Sequence, residues 1–292
     1  MIDKETAALP NEADGTRASP ATAAVGAPKA RSRRMTALAE TRISGFVLVL
    51  ALLALWEVSA RLHWTSSTNW PPFSAVVHAA LLGIGSHELL APLAGTLARM
   101  LAGFAIGSFL GMVAGLLLGA SPLAARAFNP LIEVLRPIPL PAIVPPLILF
   151  LGVGDGLKIF VTAVGTFFPV LVNTFGGTRD INSTLLQTAA TFRVGRVATL
   201  AHVILPASLP AILSGLRVGL GLALVVTITA EMIAGAGGLG YFLVQTQYAM
   251  RPAEMYAAVL CLAATGYLLN RGFLAIEARL IVWHGSGHRQ SR

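Results

Sequence analysis

Long apolar segments, each about the length of a helix that crosses a bilayer, recur along most of this chain. The first of them, residues 43–60, carries a single charged residue, Glu57, near its far end. Only 12% of the whole sequence is charged, against about 25% in an ordinary soluble domain. A soluble protein cannot cover its surface with so few charges, so most cytosolic enzymes are excluded. The sequence predicts an all-α integral membrane protein.

Six transmembrane helices are predicted within one transmembrane domain at residues 43–283. Their predicted limits are 43–60, 92–119, 122–152, 157–177, 209–234 and 253–280. A short interfacial helix is expected at 75–85, in a Trp-containing external stretch, because Trp is favoured at headgroup depth.

The two terminal tails are predicted to be cytoplasmic. Residues 1–42 show no apolar period and cannot bury enough surface to fold, so we expect a disordered tail. Basic residues cluster at its end, directly before the first span, and such clusters stay in the cytoplasm. Six spans then return the short tail 284–292 to the same side. The net charge of +8 is scattered between apolar runs, so nucleic-acid binding is not predicted.

The second span carries five glycines at a strict spacing of four. They are Gly103, Gly107, Gly111, Gly115 and Gly119. This spacing puts a smooth stripe along one helix face, which allows the backbone of another helix to approach closely. The stripe predicts close helix packing and says nothing about the solute.

The third segment, 122–152, is apolar but interrupted by prolines. They include Pro137, Pro139, Pro141, Pro145 and Pro146. A lipid-exposed helix cannot lose so many backbone donors, so the pattern predicts a helix–break–helix element that lines the protein interior. The break serves either a translocation path or a packing bend.

Charged residues within the spans are candidates for the solute path. Arg136 and Arg217 lie in apolar segments, where an unpaired charge is costly. They either pair with Glu133 and Glu231, reach the interface, or face an aqueous path that attracts an anion. Thr227 adds a polar group to the fifth span. The candidate path residues are therefore Arg136, Arg217, Thr227 and Glu231.

No catalytic residues and no metal site are predicted from the sequence. The six histidines have no metal-ligand spacing, and the lone Cys261 excludes an intrachain disulfide and a Cys-based metal site. Cys261 is expected to face lipid or to pack. Residues 152–158 lack the spacing of a phosphate-binding loop and are expected to connect two spans.

Residues 182–206 form a long polar segment on the predicted cytoplasmic side. Asn182 or Ser183 is expected to cap a short helix at 185–192 that is too short to span the membrane. Such a helix offers a docking surface for a soluble partner, or it lies on the lipid surface.

Within this segment, the spacing of several residues matches a known pattern. The positions are Gln187, Thr188, Ala189 and Ala190, then Arg193, and then Val203, Ile204, Leu205 and Pro206. They resemble the "EAA" coupling loop of ABC-importer permeases, which reads Glu-Ala-Ala, then Gly, and then Ile-x-Leu-Pro. Four further stretches resemble the nitrate/sulfonate/taurine branch of these permeases. They are Leu-Arg-Pro-Ile-Pro at 135–139, Ser-Gly-Leu-Arg at 214–217, Ala-Glu-Met at 230–232 and Gly-Gly-Leu-Gly-Tyr at 237–241.

The resemblance implies a type I importer permease in a bacterial inner membrane. It implies a homodimer of permease chains, two copies of a separate ABC ATPase, and a periplasmic or lipid-anchored solute-binding protein. ATP and Mg²⁺ would bind the ATPase, with no cofactor on this chain and no enzymatic activity of its own. The implied solute is a small anion or organic solute of the nitrate, sulfonate or taurine kind.

Two residues depart from the family pattern. Gln187 stands in place of the acidic residue, and Arg193 stands in place of the small Gly and adds bulk where the loop turns. We expect the partner ATPase to be adapted to both. An Ala189→Asp substitution is expected to abolish ATP-driven uptake and to leave membrane insertion intact.

Two other function classes make different demands on the sequence. A stand-alone ion-coupled secondary transporter needs an internal repeat and buried ionisable residues near the membrane centre. A membrane-embedded enzyme needs a cluster of catalytic groups. Neither explains the segment at 182–206, which the importer interpretation does.

Overall fold

The computed structural model describes residues 42–64, 67 and 69–280, with side chains from Gly45 onward. The expectations for the tails, 1–42 and 284–292, lie outside these residues except for Arg42, which begins the first helix. The chain divides into two compact units, one up to Leu53 and one from Ala54. All packing described below belongs to the second unit.

The described residues form eleven α-helices and no β-strand. The helices are α1 (Arg42–Arg61), α2 (Phe73–Gly85), α3 (Leu90–Ala120), α4 (Pro122–Leu135), α5 (Leu140–Leu151), α6 (Asp155–Arg179), α7 (Ser183–Thr191), α8 (Arg196–Thr199), α9 (Leu205–Ala234), α10 (Leu239–Tyr248) and α11 (Pro252–Leu280). A π-helical turn, Leu200–Ile204, joins α8 to α9.

Four continuous helices in the described part are long and apolar enough to cross a membrane. They are α3, α6, α11 and the run Arg196–Ala234 that contains α8 and α9. The bent pair α4–α5 makes a fifth. The first predicted span corresponds to α1, a helix of 20 residues whose described side chains are mainly exposed and apolar. The prediction of an all-α membrane protein is confirmed.

The glycine stripe of α3 packs directly against α6, as its spacing predicts. A Cβ atom at Gly111 would lie 2.6 Å from the backbone oxygen of Phe167. At Gly103 and Gly115 it would lie 2.6 Å from the Cβ atoms of Thr162 and Thr174. Only glycine permits this separation, because any side chain would overlap the facing helix.

Helix α6 is the central element of the unit, since α9 packs on it as well. A Cβ atom at Gly215 of α9 would lie 2.8 Å from the Cβ atom of Asn173. Toward the N-terminal end of α6, an apolar core that contains Leu157, Val161 and Val226 continues this contact. Helices α3, α6 and α9 therefore form a tightly packed scaffold.

The proline-rich segment breaks as predicted. Helices α4 and α5 are bent by 93° at the short connection that contains Pro137 and Pro139. Most side chains of α4 are exposed on the single chain, and so are Leu149 and Phe150 of α5. The chain by itself therefore does not bury this broken element, although its sequence calls for a protein or water environment.

A separate apolar cluster joins α2, α10 and α11. Val76, Leu239 and Ala258 are buried in it, and Cys261 packs against it. Of the two alternatives for Cys261, the structure supports packing. The interfacial helix expected at 75–85 is α2, whereas α10 has no counterpart among the sequence predictions.

We predict that Gly111→Leu separates α3 from α6 and lowers the free energy of unfolding in detergent by about 2 kcal/mol, since a rigid backbone faces the new side chain. Titration with SDS, followed by circular dichroism, measures this free energy. Gly221→Leu is the control, because a Cβ atom at Gly221 meets nothing within 4 Å. Equal effects at both positions would contradict the packing role of the stripe.

Candidate functional site

The first candidate site is the short helix α7, which lies between the long helices α6 and α9. The Asn182 side chain accepts a hydrogen bond from the Thr184 N–H at 2.9 Å and caps the helix. Its end at Thr191 agrees with the helix expected at 185–192 to within one residue. The capping residue Asn182 and the amphipathic pattern of the segment thus predict the position of this helix correctly.

Helix α7 ends in a Schellman motif centred on Arg193. The Val194 N–H donates to the Ala189 oxygen at 3.0 Å, and the Arg193 N–H donates to the Ala190 oxygen at 3.0 Å. This motif requires a left-handed residue, and Arg193 has φ of +53°. At the position where the importer pattern has Gly, Arg193 therefore carries backbone strain in addition to the bulk expected from the sequence.

The four signature positions of α7 differ in burial. Gln187, Thr188 and Ala190 are exposed, whereas Ala189 is 6% exposed. The expected effect of Ala189→Asp is therefore ambiguous, because a charge there would disturb packing within the loop itself. Ala190 offers the exposed position that such a test needs.

The end of the signature coincides with the π-helical turn before α9. Val203 lies in this turn, Leu205 begins α9 and Pro206 follows it. Pro206 has no N–H to donate and its ring crowds the carbonyl one turn earlier, so a widened turn relieves the clash. These residues therefore lie where the π-helical turn passes into the long helix α9.

The second candidate site is a network of buried polar side chains around Glu231. The Glu231 side chain is fully buried and accepts hydrogen bonds from Arg99 Nε at 3.1 Å and from the Gly240 N–H at 3.0 Å. The Thr96 hydroxyl lies 2.8 Å from Glu231 Oε2 and accepts from the Leu239 N–H. Helices α3 and α9 and the start of α10 therefore meet at one carboxylate.

Arg99 extends the network to α6. Its Nη1 atom donates to Asp155 Oδ1 at 2.9 Å, where the Asp155 side chain is 66% exposed. The fully buried Lys158 donates to the carbonyl oxygens of Ala236 and Gly237 at 2.9 and 3.1 Å. Two cations and two carboxylates thus share one end of the helix scaffold, and the paired geometry offsets the cost of their burial.

The turn at residues 235–238 depends on these contacts. All four residues, Gly235, Ala236, Gly237 and Gly238, have positive φ. A Cβ atom at Gly238 would overlap the Glu231 carboxylate, so glycine is required there. The Lys158 side chain then holds the carbonyl groups of this strained turn in place.

The sequence-based pairing of the membrane charges is wrong at both sites. Arg217 forms its ion pair with Glu277, and Glu231 pairs with Arg99. In the described part of the chain, Glu133 and Arg136 form no ion pair. Residues three apart are only potential partners, and the preferred partners here come from other helices.

Arg99 is a residue of the network that is not among the sequence-based candidates. Its signal in the sequence is a charge within the apolar second span. Lys158 lies in the overlap of the predicted connection at 152–158 and the predicted span at 157–177, and the structure places it in α6, which begins at Asp155. Of the candidate path residues, Thr227 and Glu231 are fully buried, and the Thr227 hydroxyl bonds to Thr162 at 2.8 Å.

The third candidate site is a cavity of about 430 Å³ at the bend between α4 and α5. Arg136 and Asn173 are its polar lining residues. Apolar side chains from the bend, from α6 and from α9 form the remaining walls, among them Ile138, Phe168 and Val218. Arg136 thus lines this cavity, whereas Arg217, Thr227 and Glu231 do not.

Comparison with known families identifies the kind of protein that carries these sites. Residues 89–281 match the family described as "Binding-protein-dependent transport system inner membrane component". The chain belongs to this family. It is a permease subunit of a binding-protein-dependent ABC importer, and the alternatives of a stand-alone carrier and of an enzyme do not apply.

Similar proteins cover about four fifths of the chain. The "Putative aliphatic sulfonates transport permease protein SsuC" of Bacillus subtilis (strain 168) is 31% identical over 84% of this chain and 88% of its own length. The "Taurine transport system permease protein TauC" of Escherichia coli (strain K12) is 30% identical over 80% of this chain and 87% of its own.

A solved structure gives the fold. An inward-facing conformation of the MetNI methionine ABC transporter matches with a TM-score of 0.61 at 20% identity, over 66% of this chain and 96% of that chain. The predicted type I importer permease fold is confirmed.

We predict that Glu231→Leu lowers the free energy of unfolding by about 3 kcal/mol, because it leaves Arg99 Nε and the Gly240 N–H buried without their acceptor. The double variant Arg99→Met/Glu231→Leu should recover most of this loss. Unfolding in SDS measures both. Arg251→Gln, in an ion pair with its side chain 57% exposed, is the control and should change stability by less than about 1 kcal/mol.

We also predict that Arg193→Gly stabilises the end of α7 by about 1 kcal/mol, because glycine adopts the left-handed conformation without strain. Hydrogen exchange of the backbone amides at 192–195 should slow in this variant. Arg196→Gly serves as the control, since Arg196 begins helix α8 and glycine weakens a helix. Unchanged exchange in Arg193→Gly would exclude strain at this position.

Proposed function

We propose that this chain is one of two identical permease subunits that import a small organic anion of the sulfonate or taurine class. A separate ABC ATPase docks on α7 and drives the alternation between inward- and outward-facing states. The observation that carries this proposal is α7 itself, a capped and exposed helix fixed between two long membrane helices.

The exposed face of α7 is the proposed contact with the ATPase. Gln187, Thr188 and Ala190 present uncharged side chains, which suit insertion into a groove. Gln187 carries no charge, so its contact with the ATPase is made by hydrogen bonds of the amide group. Arg193, exposed beside it, adds a positive charge that the ATPase surface must accommodate.

The orientation follows from the charges around α7. Arg179, Arg193 and Arg196 flank this helix, and basic residues favour the cytoplasmic side. With α7 in the cytoplasm, both chain termini are cytoplasmic, and the network around Glu231 lies toward the external side. The bacterial inner membrane is the corresponding location.

A second copy of the chain is proposed to cover the bent pair α4–α5. The broken backbone between Leu135 and Leu140 needs a protein or water environment, which the single chain does not supply. The exposed apolar residues Leu149 and Phe150 suit the same contact. A path between the two copies would then pass the bend.

The solutes named for two relatives support the proposed solute class. Two relatives are described as permeases for aliphatic sulfonates and for taurine. A solute-binding protein would deliver the anion, and ATP with Mg²⁺ would bind the ATPase, so this chain needs no cofactor.

Of the candidate path residues, Arg136 is proposed to contact the solute. Arg217, Thr227 and Glu231 make structural contacts instead, because each has a hydrogen-bond partner on a neighbouring helix.

We predict that Ala190→Asp lowers ATP-driven uptake at least tenfold, because an added charge on the exposed face of α7 would be buried unpaired in the ATPase groove. Uptake of radiolabelled taurine and ethanesulfonate is measured in proteoliposomes that contain the permease, ATPase and binding protein. The amount of ATPase that co-purifies with the permease should fall in parallel.

Ala190→Ser is the matched control, since it changes the same position without adding charge. It should retain near-normal uptake and ATPase recovery. Normal uptake by Ala190→Asp in a correctly inserted permease would exclude α7 as the docking helix.

A further inference from the structure

The cavity at the α4–α5 bend lies at the middle of the helix scaffold. Its lining residues Gly165 and Phe168 fall in the central third of α6, and Val218 and Leu222 fall in the central third of α9. Since each residue advances the helix by about 1.5 Å, these positions lie near the middle of a membrane span. The break between α4 and α5 thus borders a pocket near the middle of the membrane.

The cavity has a positive electrostatic character. Arg136 is exposed there and forms no ion pair within the described chain, and none of the lining residues is acidic. An unpaired guanidinium at membrane depth is costly unless water or an anion meets it. The buried cations of the scaffold differ in this respect, because Arg99 and Lys158 each have an acceptor.

A second donor faces the same space. The half-buried Asn173 uses one amide hydrogen on the Pro169 oxygen at 2.8 Å, which leaves its second amide hydrogen for a ligand. A planar guanidinium and an amide together match an anion with several equivalent oxygens. The remaining walls, including Ile138, Phe168 and Val218, are apolar and suit a short hydrocarbon chain.

We infer that this cavity is the binding site of the permease for a short-chain organic anion with a sulfonate head. The sulfonate oxygens accept hydrogen bonds from Arg136 and Asn173, and the alkyl chain lies against the apolar walls. This inference rests on the proposed function and adds the site and the chemical class that the site selects. Binding here is direct recognition by the permease, in addition to that by the binding protein.

Thiol protection tests the site without requiring transport. The chain has one cysteine, so Cys261→Ser gives a background without thiols. Val218→Cys then places a thiol in the cavity wall, and Val225→Cys places one two turns further along α9, outside the cavity. The two valines are similarly exposed, at 52% and 59%. Both variants, in the detergent-purified complex with the ATPase, are treated with the anionic reagent 2-sulfonatoethyl methanethiosulfonate.

Ethanesulfonate is expected to slow the labelling of Val218→Cys about tenfold and to leave Val225→Cys unchanged. Adding Arg136→Gln should remove this protection, since a charge-assisted hydrogen bond changes affinity by about tenfold or more. Arg136→Lys should retain part of it. Equal protection at both cysteines, no protection at Val218→Cys, or protection that survives Arg136→Gln would each overturn the inference.

Uptake measurements separate failure of the site from failure of the proposed function. In proteoliposomes, Arg136→Gln should raise the KM for ethanesulfonate about tenfold, while Arg271→Gln, an exposed arginine of α11, should leave it unchanged. If the unsubstituted complex imports no sulfonate although its ATPase is active, the proposed solute class fails. If it imports ethanesulfonate but labelling is not protected, the class stands and the site at Arg136 fails.

Discussion

The close contact between α3 and α6 is the constraint on which the other sites depend. Glycines along α3 bring its backbone against α6, and this approach sets which residues meet above it. One turn before Gly103, Arg99 comes within 2.9 Å of Asp155 and 3.1 Å of Glu231. With larger residues in the stripe, the helices would separate and the guanidinium would lose the geometry that offsets its burial. The close packing of the glycine stripe against α6 therefore sets the position of the polar network around Glu231.

The charged groups of the membrane domain fall into two kinds. Glu231 and Lys158 are fully buried and have several hydrogen-bond partners each. Their contacts join α3, α6, α9 and the turn at 235–238. Arg136 is exposed in a cavity and has no ion-pair partner in the described chain. A buried charge with several partners is a structural element, whereas an exposed charge without an ion-pair partner beside an apolar pocket is available to a ligand. This difference separates the scaffold from the proposed solute site.

Helix α7 has a defined geometry although two residues depart from the importer signature. Asn182 caps α7 and the Schellman motif ends it, so the exposed face has a defined shape. Arg193 adopts the left-handed conformation that glycine adopts without strain, which locates the cost of the substitution in the backbone of this chain. Gln187 is exposed, so its effect falls on the proposed contact with the ATPase. Arg193 affects the backbone of this chain and also adds a charge beside that proposed contact.

The sequence by itself determined the class of protein, the helical segments, the break at 137–139, the glycine stripe and the position of α7. These follow from local properties, since apolar length, proline, glycine spacing and a capping residue act within one segment. It did not determine the partners of the membrane charges. Spacing along the chain suggested Glu133 for Arg136 and Glu231 for Arg217, whereas the partners of Glu231 and Arg217 are Arg99 and Glu277, on other helices. Only tertiary packing decided these pairs and the cavity at Arg136, because both depend on how distant helices are brought side by side.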